Sequence, residues 1–360
     1  MGKRTAIIHD WLNGMRGGEK VLEELLEIFP DADIFTLFLE KDKISEKIKD
    51  HKIISSSLNR SKVIKKMYRY FLPLFPRFIE DFDLKGYDLI ISSSHCVAKG
   101  IIPYPYSKHI SYIHSPMRYA WDQYFSYFGD MKGLKKKFIR NRMSELRKWD
   151  ISSNERVDHF IANSNFVKER IRRYYRRDSE VIHPPVDTEF FTPGNNAKGK
   201  HFVTVSALVP YKKVDILVET FNRTGDKLII VGKGPEEKRL KNLAGKNIEF
   251  RKDLSGEMLR DIYRNSRAFV YSGIEDFGIT FVEALSCGIP VISLGEGGVT
   301  DIVNNKNGIL YDPEVSSGLL NALEEFKGRN FNKDNIRKSA LRFSADNFRK
   351  KMTAFIKKIS

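Results

Sequence analysis

Short runs of apolar residues alternate along this chain with longer amphipathic or polar segments. Such alternation predicts parallel β-strands joined by helical crossovers, because parallel strands are buried on both faces and need long connections. The pattern predicts an α/β fold with two consecutive sheets. The first sheet takes residues 6–8, 34–38, 89–92, 110–113 and 160–162, and the second takes residues 202–206, 228–231, 248–250, 269–271, 291–293 and 309–310.

The adjacent prolines Pro184 and Pro185 mark the break between the two series. Each proline fixes its own φ and pushes the preceding residue out of the α region, so this segment is expected to be extended. A polar stretch over residues 194–200 follows. We therefore predict one domain over residues 1–189 and a second over residues 190–344, since a chain of 360 residues is long enough for two cores.

The segment from residue 268 to residue 293 holds the most informative candidate functional residues. It predicts a buried strand at 268–272, a turn-rich loop at 273–278 and a helix at 279–287. Glu275 lies in the loop, and Glu283 lies eight positions later in the helix. Ligands of parallel α/β units bind at the carboxyl ends of strands, where the first N–H groups of a helix attract anions. A phosphate is therefore expected at the N–H groups of Gly278, Ile279 and Thr280.

The spacing of Glu275 and Glu283 resembles the E-x7-E signature of retaining glycosyltransferases with the two-domain GT-B fold (glycosyl transferases group 1). The resemblance covers nearly the whole chain, because seven further segments occur in the same order as in the family. Together these segments resemble the mannosyltransferase branch. The segments are GGEKVLEELLEIFP, SSSHCVAKGI, SYIHSPMRYAWDQY, ANSNFVKERIRRYY, VIHPPVD, SALVPYKKVDILVETF and GGVTDIVNNKNGILYDP. The resemblance implies two Rossmann-like domains whose parallel sheets face an interdomain cleft. It also implies that a C-terminal helix, over residues 345–360, packs back on the N-terminal domain.

The resemblance also implies roles for three residues of the N-terminal, acceptor-binding domain. In similar enzymes a glycine pair at the position of Gly17 and Gly18 lies against the donor phosphate or sugar, although tight packing also explains such a pair. His114 follows the strand at 109–113, and a histidine in this position contacts the donor sugar in similar enzymes. A hydrogen bond to the local backbone is the alternative role for His114.

In the C-terminal, nucleotide-sugar-binding domain the resemblance implies a lysine, Lys212, that neutralises the donor diphosphate. Relatives also carry an arginine five residues earlier, where this chain has Ala207. Lysine alone does not reproduce the bidentate pairing of a guanidinium, so Lys213 and Arg251 are the candidate substitutes. Glu283 is expected to hold the ribose and Glu275 to lie near the sugar hydroxyls. The remaining donor-binding candidates are Phe277, Gly278, Ile279 and Thr280.

The resemblance implies a retaining hexosyltransferase that takes a hexose from a GDP- or UDP-sugar, with GDP-mannose preferred, and transfers it to a glycan or lipid-linked acceptor of cell-surface polysaccharide or glycolipid synthesis. No cofactor or metal is expected: no Asp-x-Asp pair lies in a loop suited to a divalent ion, and helix dipoles and lysines would stabilise the leaving diphosphate. Front-face displacement and a covalent intermediate both stay open. The alternatives are a sugar-nucleotide epimerase or glycogen-type phosphorylase of the same architecture, and a catalytically weakened membrane-associated scaffold.

The formal charge of +16 calls for an anionic partner. Residues 60–78 combine basic and aromatic side chains without an acidic one, which is typical of an interfacial helix on an anionic membrane. A core helix with a solvated basic face is the alternative. No RNA-recognition, KH or zinc-knuckle pattern occurs, so nucleic acid is not expected. Two cysteines, no apolar run of about 18 residues and no apolar signal region predict a cytoplasmic protein on the inner face of the plasma membrane.

Overall fold

The computed structural model describes residues 4–61, 64–65, 67–194, 199–312 and 317–359, and for residues 69 and 70 it describes the backbone alone. The chain forms two compact units, which we call unit 1 (Met1–Pro185 with Phe348–Ser360) and unit 2 (Val186–Asn347). The change from unit 1 to unit 2 falls directly after the proline pair, a few residues before the predicted boundary.

Unit 1 is built on a parallel sheet with the strand order β3-β2-β1-β4-β5-β6-β7. Its strands are β1 (Thr5–His9), β2 (Asp33–Thr36), β3 (Ile53–Ser55), β4 (Leu89–Ser94), β5 (Lys108–Ile113), β6 (His159–Ala162) and β7 (Glu180–Val181). Its helices are α1 (Gly17–Ile28), α2 (Glu46–Lys49), α3 (Phe75–Glu80), α4 (Tyr124–Phe128), α5 (Gly133–Ser152) and α6 (Asn165–Tyr175). All five residues of β1 are buried, as expected for a strand covered on both faces.

Unit 2 is built on a second parallel sheet with the strand order β10-β9-β8-β11-β12-β13. Its strands are β8 (His201–Val205), β9 (Leu228–Val231), β10 (Ile248–Arg251), β11 (Ser266–Tyr271), β12 (Val291–Leu294) and β13 (Gly308–Tyr311). Its helices are α7 (Val214–Thr224), α8 (Glu237–Leu243), α9 (Gly256–Arg264), α10 (Ile279–Ser286), α11 (Gly318–Gly328) and α12 (Lys333–Leu341). The prediction of an α/β fold with two parallel sheets is confirmed.

The last helix, α13 (Ala345–Ile359), contributes to the core of unit 1. Phe348 and Met352 are buried among apolar residues of α1 and β1, and Phe355 packs against the same cluster. Arg349 pairs with Glu24 of α1. The C-terminal end of the chain is therefore part of the first structural unit.

Each sheet reverses its strand order at one point, and this point is where a ligand is expected. In unit 1 the strands next to β1 are β2 and β4, and in unit 2 the strands next to β8 are β9 and β11. In open parallel sheets the loops leaving two strands on either side of such a switch point diverge and leave a crevice at the carboxyl ends. The loops after β1 and β4, and those after β8 and β11, are thus the places to look for a site.

Within its described residues, the segment at 60–78 packs mainly against unit 1, as the alternative of a core segment expects. Its described part has a 3₁₀ stretch, Tyr68–Leu74, that leads into α3, and most of its described aromatic and aliphatic side chains pack into the core of unit 1. Phe75 is fully buried, whereas Met67 and Leu74 are exposed. Lys62, Val63 and Lys66 lie outside the described residues. Elsewhere in the described ranges, no helix is both long enough and apolar enough to span a bilayer.

Candidate functional site

Lys212 and Glu275 meet at the switch point of unit 2. Lys212 ends the short 3₁₀ turn Pro210–Lys212 after β8, and Glu275 lies in the loop after β11. The Lys212 Nζ lies 2.5 Å from Glu275 Oε2 and 5.3 Å from the ring centre of Tyr211. Lys212 is 6% exposed. A nearly buried ammonium and a carboxylate thus lie together at the switch point, a position where open parallel sheets commonly bind ligands.

Close glycine contacts fix the loop that carries Glu275. A Cβ at Gly273 would lie 2.8 Å from the Lys212 carbonyl oxygen, and one at Gly297 would lie 2.6 Å from the Glu275 carbonyl oxygen. The Gly298 N–H donates to that same Glu275 oxygen over 2.8 Å. The Tyr271 hydroxyl donates to the Glu275 carboxylate. Only residues without a side chain allow this approach, so the glycines hold the Glu275 backbone between two other loops.

Glu283 lies in α10, where burial dominates its chemistry. Its Oε2 accepts a hydrogen bond of 2.9 Å from the Tyr263 hydroxyl, which lies on α9 and is itself buried. Burial raises the pKa of Glu283 to about 7, and the hydrogen bond from Tyr263 offsets only part of the increase. Near neutral pH the Glu283 carboxyl therefore exists in both protonation states, and a partner that donates hydrogen bonds would favour the ionised one.

The start of α10 presents backbone rather than side chains. Gly278 caps the helix with φ +97°, a conformation that suits glycine. The Phe277 side chain is 3% exposed and packs edge-on against Phe343, with ring centres 5.5 Å apart. Ile279 is partly buried against the same core, and Thr280 is half-buried. Phe277 can therefore meet a donor only through its backbone, beside the N–H groups that begin the helix.

The candidate substitutes for the missing arginine differ in their availability. Ala207 is exposed in the loop after β8. Lys213 is exposed and has a left-handed backbone, φ +53°, at the cap of α7. Arg251 ends the edge strand β10, and its guanidinium is held by Glu249 with Nε–Oε1 and Nη2–Oε2 distances of 2.6 and 3.1 Å. Lys213 is thus nearer to Lys212 and is the more accessible cation, whereas Arg251 is engaged at the sheet edge.

In unit 1 His114 lies in a chain of hydrogen bonds at the carboxyl ends of β1, β4 and β5. The Ser93 Oγ lies 2.8 Å from His114 Nε2 and 3.1 Å from His9 Nδ1. Gly17 is the first residue of α1, and a Cβ at Gly18 would lie 3.3 Å from the His9 Cε1 and 3.7 Å from the His114 Nε2. Gly18 and His114, two of the three candidate site residues predicted for this domain, therefore lie close together in the structure.

Two buried carboxylates support this histidine chain. Asp10, fully buried after β1, accepts hydrogen bonds of 2.7 to 2.9 Å from four successive backbone N–H groups, those of His95, Cys96, Val97 and Ala98. Glu19 caps the start of α1 by accepting from the Arg16 N–H, and its Oε1 lies 3.9 Å from His9 Nε2. Burial raises the pKa of the Glu19 carboxyl, but interactions with His9, with the backbone and with His95 together outweigh it and lower that pKa to about 2.

Sequence reasoning missed several residues of these two clusters. His9, Asp10 and Ser93 stand at the carboxyl ends of β1 and β4, and a run of polar residues directly after a predicted strand is a signal that could have found them. Tyr263 and Tyr271 gave no such signal, because each lies within a regular element as a core residue would. Within the described ranges, no group of three or more His, Cys, Asp or Glu side chains is arranged to hold a metal ion.

Two parallel α/β units, each with charged side chains at its switch point, define the protein as a two-domain α/β fold. Residues 15–190 match the model of Glycosyltransferase Family 4, and residues 185–341 match that of Glycosyl transferases group 1. The chain thus consists of a Glycosyltransferase Family 4 domain followed by a Glycosyl transferases group 1 domain.

Similar proteins agree with this assignment. The chain is 26% identical over 216 residues to D-inositol 3-phosphate glycosyltransferase of Mycobacteroides abscessus, an alignment that covers 52% of this chain and 48% of that protein. The chain therefore spans about half the length of this curated relative. Among solved structures, Anabaena Alr3699/HepE in complex with UDP has a TM-score of 0.71 at 15% identity, over 99% of this chain and 100% of the other. Sucrose-phosphate synthase from Thermosynechococcus elongatus has a TM-score of 0.72 at 17% identity, over 99% of each chain.

Proposed function

We propose that this protein is a retaining glycosyltransferase that transfers a hexose from a nucleoside diphosphate sugar to a glycan or lipid-linked acceptor of cell-surface polysaccharide or glycolipid synthesis. One observation carries the proposal: Lys212 and Glu275 form an ion pair at the switch point of unit 2. A cation beside a helix N-terminus suits a diphosphate, and a fixed carboxylate can accept hydrogen bonds from sugar hydroxyls.

The proposed reaction needs stabilisation of the leaving diphosphate. Lys212 has three N–H donors, so it can keep its contact with Glu275 while it binds a phosphate oxygen. The N–H groups at the start of α10 add partial positive charge without a metal ion. Charge that develops on the leaving group would then meet groups already in position. His114 remains a prediction as the residue that fixes the transferred sugar.

Glu283 is proposed to bind the ribose. Its ionised carboxylate can accept hydrogen bonds from the two neighbouring ribose hydroxyls. Because the pKa of Glu283 is about 7, only part of the protein has this ionised form near neutral pH. We expect the affinity for a nucleoside diphosphate sugar to increase between pH 5 and pH 8 in roughly the range of that pKa. Isothermal titration over this range checks it, and Glu283→Gln should remove most of the pH dependence.

GDP-mannose is the proposed donor. It follows from the resemblance to the mannosyltransferase branch, whereas the Anabaena protein of the same fold has been solved with UDP-glucose. A binding panel of GDP-mannose, GDP-glucose, UDP-glucose and UDP-galactose separates the base from the sugar. Preference for both guanosine sugars over both uridine sugars supports the proposed base, and mannose preferred over glucose on GDP supports the proposed hexose.

The alanine at position 207, where relatives carry an arginine, allows a second binding experiment. Ala207→Arg restores a planar guanidinium five residues before Lys212, and we expect it to tighten donor binding by about 1 to 2 kcal/mol. Unchanged or weaker binding by a folded variant would mean that another base, first of all the exposed Lys213, already neutralises the diphosphate.

Two other functions would give different results. An epimerase would interconvert free sugar nucleotides without an acceptor, and a membrane-associated scaffold would bind no nucleotide sugar. The scaffold is the stronger rival, because the position of the family arginine is alanine. Wild-type protein and Ala207→Arg that both fail to bind any member of the panel would favour the scaffold.

A further inference from the structure

Unit 1 has an exposed basic-aromatic surface on α4 and the first half of α5. Its members are Phe125, Lys132, Leu134, Lys135, Lys136, Lys137, Phe138, Arg140 and Arg142. Phe125 is 79% exposed, Leu134 is 86% exposed and Phe138 is 58% exposed. Single exposed apolar residues are common on protein surfaces. Three large exposed apolar side chains within one short segment are unusual and indicate an interaction site.

The core of unit 1 does not use these side chains. Helix α5 buries a different stripe, Met143, Leu146 and Asp150, with Ile139 packed partly against it. Each residue of an α-helix advances by about 100°, so Leu134 lies roughly opposite Met143 on the helix and Phe138 lies about 140° away from it. The helix therefore has an inward apolar stripe and a second, outward apolar stripe at Leu134 and Phe138.

The charge within the outward stripe is positive, and the exposed acidic residues Asp130 and Glu145 lie just outside it. Six lysines and arginines lie between residues 131 and 144, and no aspartate or glutamate lies there. The Arg142 guanidinium carbon lies 5.1 Å from the ring centre of Phe138, so the cation covers part of the ring and its stem adds to the apolar area. The partner of this surface must be anionic and must also accept apolar side chains.

We propose that this basic-aromatic surface binds the headgroup region of an anionic lipid bilayer. Lysines and arginines attract anionic headgroups, and the apolar side chains enter the boundary between headgroups and acyl chains. A second copy of this chain fits poorly, because a symmetric pairing of the surface would oppose like charges. Nucleic acid would satisfy the charges but would leave Leu134 in water.

The surface deepens the proposed function, on which it rests for the assignment of a membrane-bound acceptor. It also moves the membrane contact from residues 60–78, where Phe75 is buried and most other described apolar side chains are partly buried against the core, to residues 125–142. Binding to lipid itself needs neither donor nor catalysis. The lipid-binding proposal can therefore be wrong while nucleotide-sugar binding is confirmed, and nucleotide-sugar binding can be absent while lipid binding is confirmed.

Sedimentation with lipid vesicles tests the proposal on the full chain. We expect wild-type protein to bind vesicles that contain phosphatidylcholine and phosphatidylglycerol on the order of tenfold more strongly than phosphatidylcholine alone. Raising the salt to about 1 M, where the Debye length is about 3 Å, should remove most of this preference. Absence of binding to either vesicle would overturn the proposal.

A charge variant and a matched control locate the contact. Each lysine near an anionic surface contributes up to about fivefold, so Lys135→Gln/Lys136→Gln/Lys137→Gln should weaken binding by on the order of 100-fold at low salt. The control Lys238→Gln/Lys246→Gln/Lys306→Gln removes the same charge from exposed lysines of unit 2. Equal losses in both triple variants would show an effect of net charge alone and overturn the assigned surface.

An apolar variant separates a bilayer from other polyanions. Leu134→Ser/Phe138→Ser should lower vesicle binding by on the order of tenfold and leave nucleotide-sugar affinity unchanged. In a second variant, Leu134→Trp, the fluorescence emission of the new tryptophan should shift to the blue when vesicles are added. Leu243→Ser/Met258→Ser, which changes two exposed apolar residues of unit 2, is the control. Vesicle binding unchanged by Leu134→Ser/Phe138→Ser would overturn the proposal. In that case, binding of single-stranded RNA to the lysines would identify nucleic acid as the partner. A wild-type dimer that is absent in the variant would identify a second copy of this chain.

Discussion

Buried carboxylates give the clearest chemistry at the scale of single residues. Glu19 is buried and Glu283 is partly buried, yet their pKa values move in opposite directions, to about 7 for Glu283 and to about 2 for Glu19. Glu283 has a neutral hydroxyl as its partner, whereas Glu19 has an imidazole. The identity of the partner, more than burial itself, therefore decides which of the two residues can change its charge near neutral pH.

The raised pKa of Glu283 predicts a pH-dependent stability. The folded pKa of about 7 lies above the ordinary value of 4.5, so protonated Glu283 favours the folded state, and this contribution is lost as the pH rises from about 4.5 through 7. Glu283→Gln should therefore gain up to about 3 kcal/mol relative to wild type between pH 4.5 and pH 8. Urea denaturation at several pH values measures the difference. Exposed Glu219→Gln is the control, and parallel pH curves for Glu283→Gln and wild type would refute the assignment.

Ser93 predicts a functional effect through His114. Ser93→Ala removes the hydroxyl between His9 and His114, and if His114 fixes the sugar, kcat/KM should fall by about 5- to 30-fold with a displaced pH profile. Ser92→Ala is the matched control, because the buried Ser92 bonds to His109 on the same sheet. Both variants should lose about 1 kcal/mol of stability. A displaced pH profile in both, or in neither, would count against a role of His114 in transfer.

The residue contacts of the site were only partly predictable from the sequence. Lys212 and Glu275 were each expected near the donor, but their direct contact depends on the adjacency of β8 and β11, which the chain order does not fix. The role of Tyr263 is a second example. Nothing in its local sequence distinguishes a tyrosine that packs in a core from one that also donates to Glu283.

At the scale of elements, left-handed glycines set the loops around α10. Gly278 begins this helix at φ +97°, and a Cβ there would lie 2.3 Å from the buried ring of Phe281. Gly278→Ala should therefore lower the free energy of unfolding by about 2 to 4 kcal/mol, from backbone strain and displacement of the ring, and should also weaken donor binding. Chemical denaturation and titration check it.

Gly225→Ala is the control for that prediction. Gly225 also has a positive φ, of +71°, at the end of α7, but no atom lies within 4 Å of its hypothetical Cβ. It should lose only the conformational term, about 1 kcal/mol, with donor binding unchanged. Equal losses for the two alanine variants would mean that contact with Phe281 does not matter.

Elements were predictable where their apolar pattern is long and were missed where it is short. Strands such as β4 and β5 were found because runs of apolar residues mark them, whereas β3 has three residues and β7 has two. Residues 60–78 have a sequence pattern with two possible meanings. Their basic and aromatic pattern is the same for an interfacial helix and for a core segment with a solvated face, and only packing against the rest of unit 1 distinguishes the two.

At the scale of the whole molecule, the excess of positive charge is unevenly used. Lys99 is buried in unit 1 with its Nζ 2.9 Å from Asp150 Oδ1, so this charge is neutralised within the core. The lysines at the start of α5 are exposed, and no acidic residue lies between residues 131 and 144. A formal charge of +16 is therefore partly structural and partly available to an anionic partner.

The central claim is that unit 2 binds a nucleoside diphosphate sugar through Lys212 at the β8–β11 switch point. Isothermal titration of GDP-mannose into wild type, Lys212→Ala and the exposed control Lys246→Ala tests it most directly. We predict saturable binding to wild type and to Lys246→Ala, and a loss of about 1.5 to 3 kcal/mol in Lys212→Ala, the size of hydrogen bonds to a charged group. Equal affinity of Lys212→Ala and wild type for the nucleotide sugar, with both proteins folded, would contradict the account.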